Sequence, residues 1–204
     1  MSTLQAVPGV SADQLRDAVK SEYANVAIDP DKGYHFHTGR DAADRLSYDP
    51  AVYAQVPEAS IASFAGTGNP FLAGPLQPGE TVVDAGSGAG FDSLIAGVMV
   101  GPEGRVTGID MTAEMLAKAR SGATEMGAGH VEFQEGFIEE LPLFDNSADV
   151  LISNGVLNLT LNKVDTLKDW LRVLKPGGRM QIGDILVGRE VPSAALDDIS
   201  LWTG

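Results

Sequence analysis

Cysteine is absent from all 204 residues. Disulfides, zinc–thiolate centres and thiol nucleophiles are therefore excluded for this chain. Basic residues are scarce: 14 lysines and arginines stand against 28 aspartates and glutamates, a net charge of −14. A surface of that sign repels phosphate backbones, which argues against a nucleic-acid partner. Its simplest role is solubility. No apolar run approaches the ~20 residues needed to cross a bilayer, and the N-terminus lacks the basic-then-apolar order of a signal peptide. The expectation is no membrane partner and a cytoplasmic location. What remains, 44% hydrophobic and 21% charged residues, is the balance of one globular domain with a small appendage.

Residues 1–10 show no period and read as a loose arm. Ser11 followed by Gln14 has the pattern of a capping box, and Leu15, Val19, Tyr23 and Val26 recur at helical spacing. They predict a helix ending near Asp29 and Pro30. Pro57 and Glu58 open a short helix through Phe64, closed by Gly66, and the stretch from there to Gly79 reads as loop. Residues 1–75 are expected to form an N-terminal helical arm or lid, and 76–204 the main domain.

Beyond Gly79, strand and helix alternate. Strands are predicted at Thr81 to Asp84, Arg105 to Asp110, Val131 to Phe133, Asp149 to Ser153 and Met180 to Val187. Helices are predicted at Phe91 to Met99, from a Thr112 cap through Met126, and at Val164 to Leu174, where Lys175-Pro176-Gly177-Gly178 stops the last. Asp149 to Ser153 is almost continuously apolar, as strands buried in parallel sheets are. The expected fold is α/β and Rossmann-like, a parallel sheet covered on both faces.

Val82-Val83-Asp84-Ala85-Gly86-Ser87-Gly88-Ala89-Gly90-Phe91 carries three glycines at alternate positions between a strand and a helix. Such a turn admits positive backbone torsions and close ligand approach, and the helix start adds amides aimed at whatever is bound. Asp110 closes the second strand, where an acid can accept ribose hydroxyls. Asp84 closes the first and can reach a ligand amino group or order water beside it. A nicotinamide dehydrogenase would instead show G-x-G-x-x-G around a pyrophosphate. The tighter D-x-G-x-G-x-G form suits a nucleoside ligand without phosphates, and S-adenosylmethionine (SAM) is the cofactor expected, with S-adenosylhomocysteine (SAH) its product. Gly136, Phe137 and Ile138 follow the third strand, where the adenine would lie. Asn154, at the end of the fourth, either orients ligand or substrate or holds the strand-end turn. The cofactor set is thus Asp84, Gly86, Ser87, Gly88, Gly90, Phe91, Asp110, Met111, Gly136, Phe137, Ile138 and Asn154. Met115, Leu116 and Met126 face the core by spacing and receive no function.

Taken together, Asp84 to Gly90, Gly108-Ile109-Asp110-Met111-Thr112 with Glu114-Met115, Leu141-Pro142 with Asp149, Ile152-Ser153-Asn154 and Val173 to Arg179 resemble arsenite methyltransferases. These belong to the broad ubiquinone/menaquinone-type group of class I methyltransferases. The resemblance spans roughly residues 52 to 204 and includes Gly66-x-Gly68-Asn69-Pro70; Val19, Lys20 and Tyr23 resemble the family's N-terminal helix. It implies SAM-dependent methyl transfer to a small-molecule acceptor. It also implies cysteines that hold trivalent arsenic as thiolates, and here the sequence departs. Thr67 and Gly155 stand where the family has cysteine, and a further cysteine is expected just past Trp202-Thr203-Gly204.

The resemblance implies seven strands, and five can be counted. The sheet is then short of its last two strands and keeps an open edge. A short form whose edge a homodimer partner covers, a fragment, and a UGA codon meant as selenocysteine but read as stop are the alternatives. A SAM-binding module without turnover, or a methyltransferase for a small organic acceptor, are the alternatives for function. Tyr34, His35, His37 and Asn154 are the candidate catalytic contacts. His35 and His37 would share a face in an extended segment, but no third metal ligand is apparent and no metal site is expected.

Overall fold

The computed structural model describes residues 11–186 and 188. The arm at 1–10 and Trp202-Thr203-Gly204 lie outside them. Helix α1 spans Ala12–Ile28 and opens on the predicted capping box: Gln14 N donates to Ser11 Oγ, and Ser11 N to Gln14 Oε1. Three short helices follow, α2 (Gly39–Arg45), α3 (Pro50–Tyr53) and α4 (Glu58–Ala62). Then come β1 (Thr81–Ala85), α5 (Phe91–Val100), β2 (Arg105–Asp110), α6 (Ala113–Glu125), β3 (Val131–Glu135), β4 (Ala148–Asn154), α7 (Lys163–Val173) and β5 (Leu174–Gly183). Single 3-10 turns lie at Pro70–Ala73, within the stretch expected to be loop, and at Leu157–Leu159.

All pairings within the sheet of the described residues are parallel, in the order β3-β2-β1-β4-β5. Alternation along β1 divides the core. Val82 faces one cluster with Leu94, Ile95, Leu116, Val150 and Ile152; Val83 and Ala85 face the other with Leu151, Trp170 and Val173. α5 and α6 therefore cover one face and α7 the other, as a parallel sheet requires. The short N-terminal helices belong to the first cluster: Tyr48, Tyr53 and Phe64 surround Phe91, with ring centroids 5.0, 6.1 and 4.2 Å away. α1 packs separately, placing Val26 and Ala27 against Ala89 and Met115. No helix of the described residues is long and apolar enough to cross a membrane.

Two expectations are corrected. The last strand starts earlier and ends sooner than Met180 to Val187. Leu174 already pairs with Ala148, the glycine-rich stretch bulges, and pairing resumes at Val150 with Arg179. After Gly183 the Asp184 carboxylate turns the chain off the sheet: Oδ2 accepts Leu157 N at 2.9 Å, and Oδ1 accepts Ile185 N at 2.7 Å. Val187 itself lies outside the described residues. Thr112 occupies the cap position of α6, yet its side chain makes no cap bond. The Asp110 carboxylate takes Thr112 N at 2.8 Å instead.

Candidate functional site

Ligands of such sheets bind beyond the carboxyl ends of the strands, where the strand order reverses. Here the reversal lies between β1 and β4, and a cleft opens there. Gly86, Ser87, Gly88, Phe91, Asp110, Met111, Gly136, Ile138 and Asn154 all border it. Asp84, Gly90 and Phe137 do not, although the sequence grouped them with the others. Gly90, at φ +84°, serves packing: a Cβ there would meet Phe133 Cζ at 2.8 Å and Ala119 Cβ at 3.0 Å. Phe137 is 47% exposed and lies under the Arg16 guanidinium, 4.8 Å from its ring centroid. The turn's amides are also less free than expected. Gly86 N and Ser87 N donate to Ile109 O, Gly88 N to Asp110 Oδ2 and Gly90 N to Ser87 O. At Gly88 the space where a Cβ would point holds only Met115 Sδ, 4.0 Å away. Ser87 Oγ, buried beside it, has no hydrogen-bond partner among the described residues. Met115, assigned to the core alone, is also part of the cleft wall.

Three carboxylates converge on the turn. Asp110 ties the turn to the start of α6, accepting Gly88 N and Thr112 N, each at 2.8 Å. Burial raises its pKa, and those amides oppose the shift. Asp84 is buried behind the turn and accepts the Ser93 hydroxyl at 2.6 Å. Asp92, on the first turn of α5 and bordering the cleft, accepts Tyr48 Oη at 2.6 Å and Asn154 Nδ2 at 3.0 Å. Burial, and then the charge of Asp92, push Asp84 up to about 8. Burial pushes Asp92 to about 6, against the pull of Tyr48 and Asn154.

Both groups bind protons more tightly folded than unfolded, where aspartate titrates near ~3.9. The stability they contribute is complete below that value and is lost as pH rises through about 6 and then about 8. The ligand-free protein is accordingly expected to melt at a lower temperature at about pH 8.5 than at about pH 6. Asp84→Asn should flatten that dependence. Identical pH profiles for the two proteins would exclude Asp84 as its source.

Asn154 is a clamp. Its Oδ1 accepts Thr67 N and Gly68 N, both at 2.9 Å, while Nδ2 reaches Gly68 O at 2.8 Å and Tyr48 Oη at 2.9 Å as well as Asp92. It therefore holds the 66–68 loop over the end of β4, farther along the chain than a strand-end turn. Gln181 Nε2 holds the far side of the same loop through Pro70 O and Gly74 O. The loop sets Thr67 against Gly155, so the two positions where the resemblance implies cysteine lie side by side. A Cβ at Gly155, whose φ is +69°, would lie 2.9 Å from Thr67 Oγ1 and 3.2 Å from Thr67 N.

α1, within the segment expected to be an arm or lid, supplies a wall whose residues sequence reasoning did not assign to the site. Leu15, Arg16, Val19 and Tyr23 border the cleft, and Arg16 ties the helix to Glu139 beyond β3 at 3.2 Å. Burial, then the charge of Asp110, push the Tyr23 hydroxyl up to about 12. Its helical spacing marked Tyr23 as apolar-facing but not which surface it met. Tyr34, His35 and His37 are placed elsewhere. Both histidines are exposed, Tyr34 donates its hydroxyl to Asp29 O and stacks on Phe36, and none of the three borders the cleft. Phe36 between them turns inward, toward Tyr23. Among the described residues, no group of three potential metal ligands gathers.

Comparison with known proteins gives this geometry a setting. Residues 76–202 match the family described as a methyltransferase domain. The arsenite methyltransferase of Halobacterium salinarum is 38% identical over 206 residues, which cover 94% of this chain and 52% of that protein. That of Aquipseudomonas alcaligenes is 37% identical over 79% of this chain and 48% of its own length. An arsenic(III) S-adenosylmethionine methyltransferase from Chlamydomonas reinhardtii superposes with a TM-score of 0.64 at 37% identity, covering 71% of this chain and 51% of that one. The chain thus spans about half the length of these relatives.

Proposed function

The chain belongs to the methyltransferase-domain family, and from that premise we propose that it binds SAM in the cleft and transfers its methyl group to a small molecule. The observation that carries this reading is Asp110, which braces the glycine turn and borders the cleft at once. Other features of the cleft fit the cofactor. The orphaned Ser87 hydroxyl, the open space at Gly88 and the uncompensated carboxylates suit a polar ligand carrying positive charge.

In this reading Asp110 receives the ribose hydroxyls and Met111, Gly136 and Ile138 flank the adenine. Gly86 to Gly88 support the amino-acid end, and Tyr23 closes over it from α1. Gly90 and Phe137 act from behind, through packing. Bound SAM supplies a sulfonium-activated methyl carbon, so the protein's part is to align the acceptor and exclude water. α1 is the lid that excludes it. Tyr34, His35 and His37 take no part in the chemistry. Asn154 acts as a positioning residue, through the loop it holds.

The acceptor differs from that of the named relatives. Trivalent arsenic is thiophilic and is held by soft thiolates, yet Thr67 and Gly155 meet at that wall and cysteine is absent throughout. The reading is a small acceptor that needs no thiolate ligand. A second reading, cofactor binding without turnover, draws on the same missing ligands. Titration with SAH tests the cofactor half: no binding by a chain that melts cooperatively rejects it. Methyl-transfer assays on small phenols and on arsenite with excess thiol test the other half. No turnover is expected on arsenite, and turnover there would overturn the argument from the missing thiolates. Turnover on a phenol separates the enzyme from the silent module.

A further inference from the structure

α1 is held differently at its two ends. Toward its C-terminus Val26 and Ala27 pack on Ala89 and Met115, and Ser63 Oγ donates to Val26 O at 3.3 Å. The residues just past the helix are tied as well, Asp29 O by Tyr34 Oη at 2.8 Å and Pro30 O by Thr38 Oγ1 at 3.2 Å. Toward its N-terminus the helix depends on Arg16. Among the described residues, Arg16 is the one side chain of α1 that hydrogen-bonds outside the N-terminal segment and its helix. Nε and Nη2 each reach Glu139 Oε1 at 3.2 Å, and the guanidinium lies over the exposed Phe137 ring, 4.8 Å from its centroid.

The side chains beside Arg16 face the cleft. Leu15 and Val19 are buried, yet they join none of the hydrophobic clusters of the core and border the cleft instead. The same half of α1 that is attached through Arg16 is therefore the half that roofs the site. A ligand can pass beneath it only if that half lifts, with the anchored stretch at Val26 to Pro30 as the fixed end.

We propose that Arg16 is a positioning residue: through Glu139 and Phe137 it latches α1 down over the occupied cleft and sets how fast the demethylated cofactor leaves. This rests on the SAM reading above. The latch suits the task because it is weak. Its ion pair is partly open to water, the two side chains being 32% and 27% exposed. Such a pair, and a cation over an exposed ring, hold only marginally against water and salt, so α1 can open within one turnover. The latch also gives Phe137 a purpose. An exposed aromatic ring just past β3 is the seat on which the guanidinium rests.

The test is the rate of SAH release from the immobilised whole chain, followed by surface plasmon resonance at ~0.05 M and ~1 M salt, where screening differs severalfold. SAH carries no net charge, so salt acts mainly on the protein's own contacts. Wild-type release is expected to quicken at high salt. Arg16→Gln should release SAH about tenfold faster at low salt and lose most of the salt dependence. Glu139→Gln should do the same, and the double variant should be no faster than either single one. Phe137→Leu should fall between. Reversing both charges, with Arg16→Glu and Glu139→Arg together, should restore slow release, a rescue that a merely structural role does not give. Variants on both partners keep the test valid if one of them fails to melt cooperatively. Release within about twofold of wild type at low salt in Arg16→Gln and Glu139→Gln, less than a lost ion pair and ring contact together imply, overturns the latch and leaves the cofactor reading intact. A folded wild-type chain that binds no SAH rejects that reading, and the latch with it.

Discussion

Replacing Asn154 with alanine should lower the unfolding free energy by about 3 kcal/mol, the cost of leaving several part-buried polar groups unsatisfied. The side chain bonds two amides of the 66–68 loop, the Gly68 carbonyl, the Tyr48 hydroxyl and the Asp92 carboxylate. Truncation opens a gap that water fills poorly, because Gly66 packs directly onto the amide. Gln181 keeps the far end of the loop attached, so the urea midpoint should fall with little change in slope. Asn154→Asp sharpens the test. It keeps the acceptor for Thr67 N and Gly68 N but sets a second carboxylate against Asp92, so its deficit should grow as pH rises through the range where Asp92 ionises. An alanine variant within ~0.5 kcal/mol of wild type, the scatter of an ordinary surface change, would mean that the clamp carries no net stability.

Asp110→Ala should weaken SAH binding by about 100-fold, some 2.7 kcal/mol. The loss has two sources. A direct acceptor at the cleft wall disappears, and Gly88 N and Thr112 N lose the carboxylate that fixes them. Asp110→Asn retains one acceptor oxygen but must turn its amide toward Gly88 N or Thr112 N, so an intermediate loss of roughly tenfold is expected. Melting curves on both variants separate a lost ligand contact from a lost fold. Retention of SAH affinity within about threefold in the alanine variant, a difference too small for a lost charged hydrogen bond, would remove Asp110 from the ribose.

The elements that the sequence made legible are those whose signals are local. The capping box of α1, the apolar run of β4 and the spacing of the glycine turn each carry their instruction within a few residues. α2 and α3 lack one. They are seven and four residues long, too short to stand on propensity, and they persist because Tyr48 and Tyr53 reach Phe91 across the chain. The site divides the same way. Asp110 was legible because its distance from the turn is itself a motif. Asn154 was visible as a residue but not as a clamp, since Thr67, Gly68 and Tyr48 lie 86 to 106 positions away. Asp92 was passed over because an acid in the first turn of a helix ordinarily complements its dipole. Only its burial against Asp84 makes it unusual. Tyr23 went unassigned because periodicity tells which face of α1 is apolar, and not that this face covers a cleft. The histidines drew attention by proximity in sequence, and their exposure shows how little proximity implies.

The contact between Thr67 and Gly155 also couples what the two positions can accept. With a branched side chain at 67, position 155 has no room for even one added carbon, and its backbone torsion disfavours one besides. The two positions are a single mutational unit with a preferred order. A change at 155 made first meets a steric penalty that selection removes. A smaller residue at 67 made first relieves the closest of those contacts and leaves the torsion as the main obstacle. A side chain at 155 therefore becomes accessible only once position 67 has changed, so the two positions are epistatic in one direction.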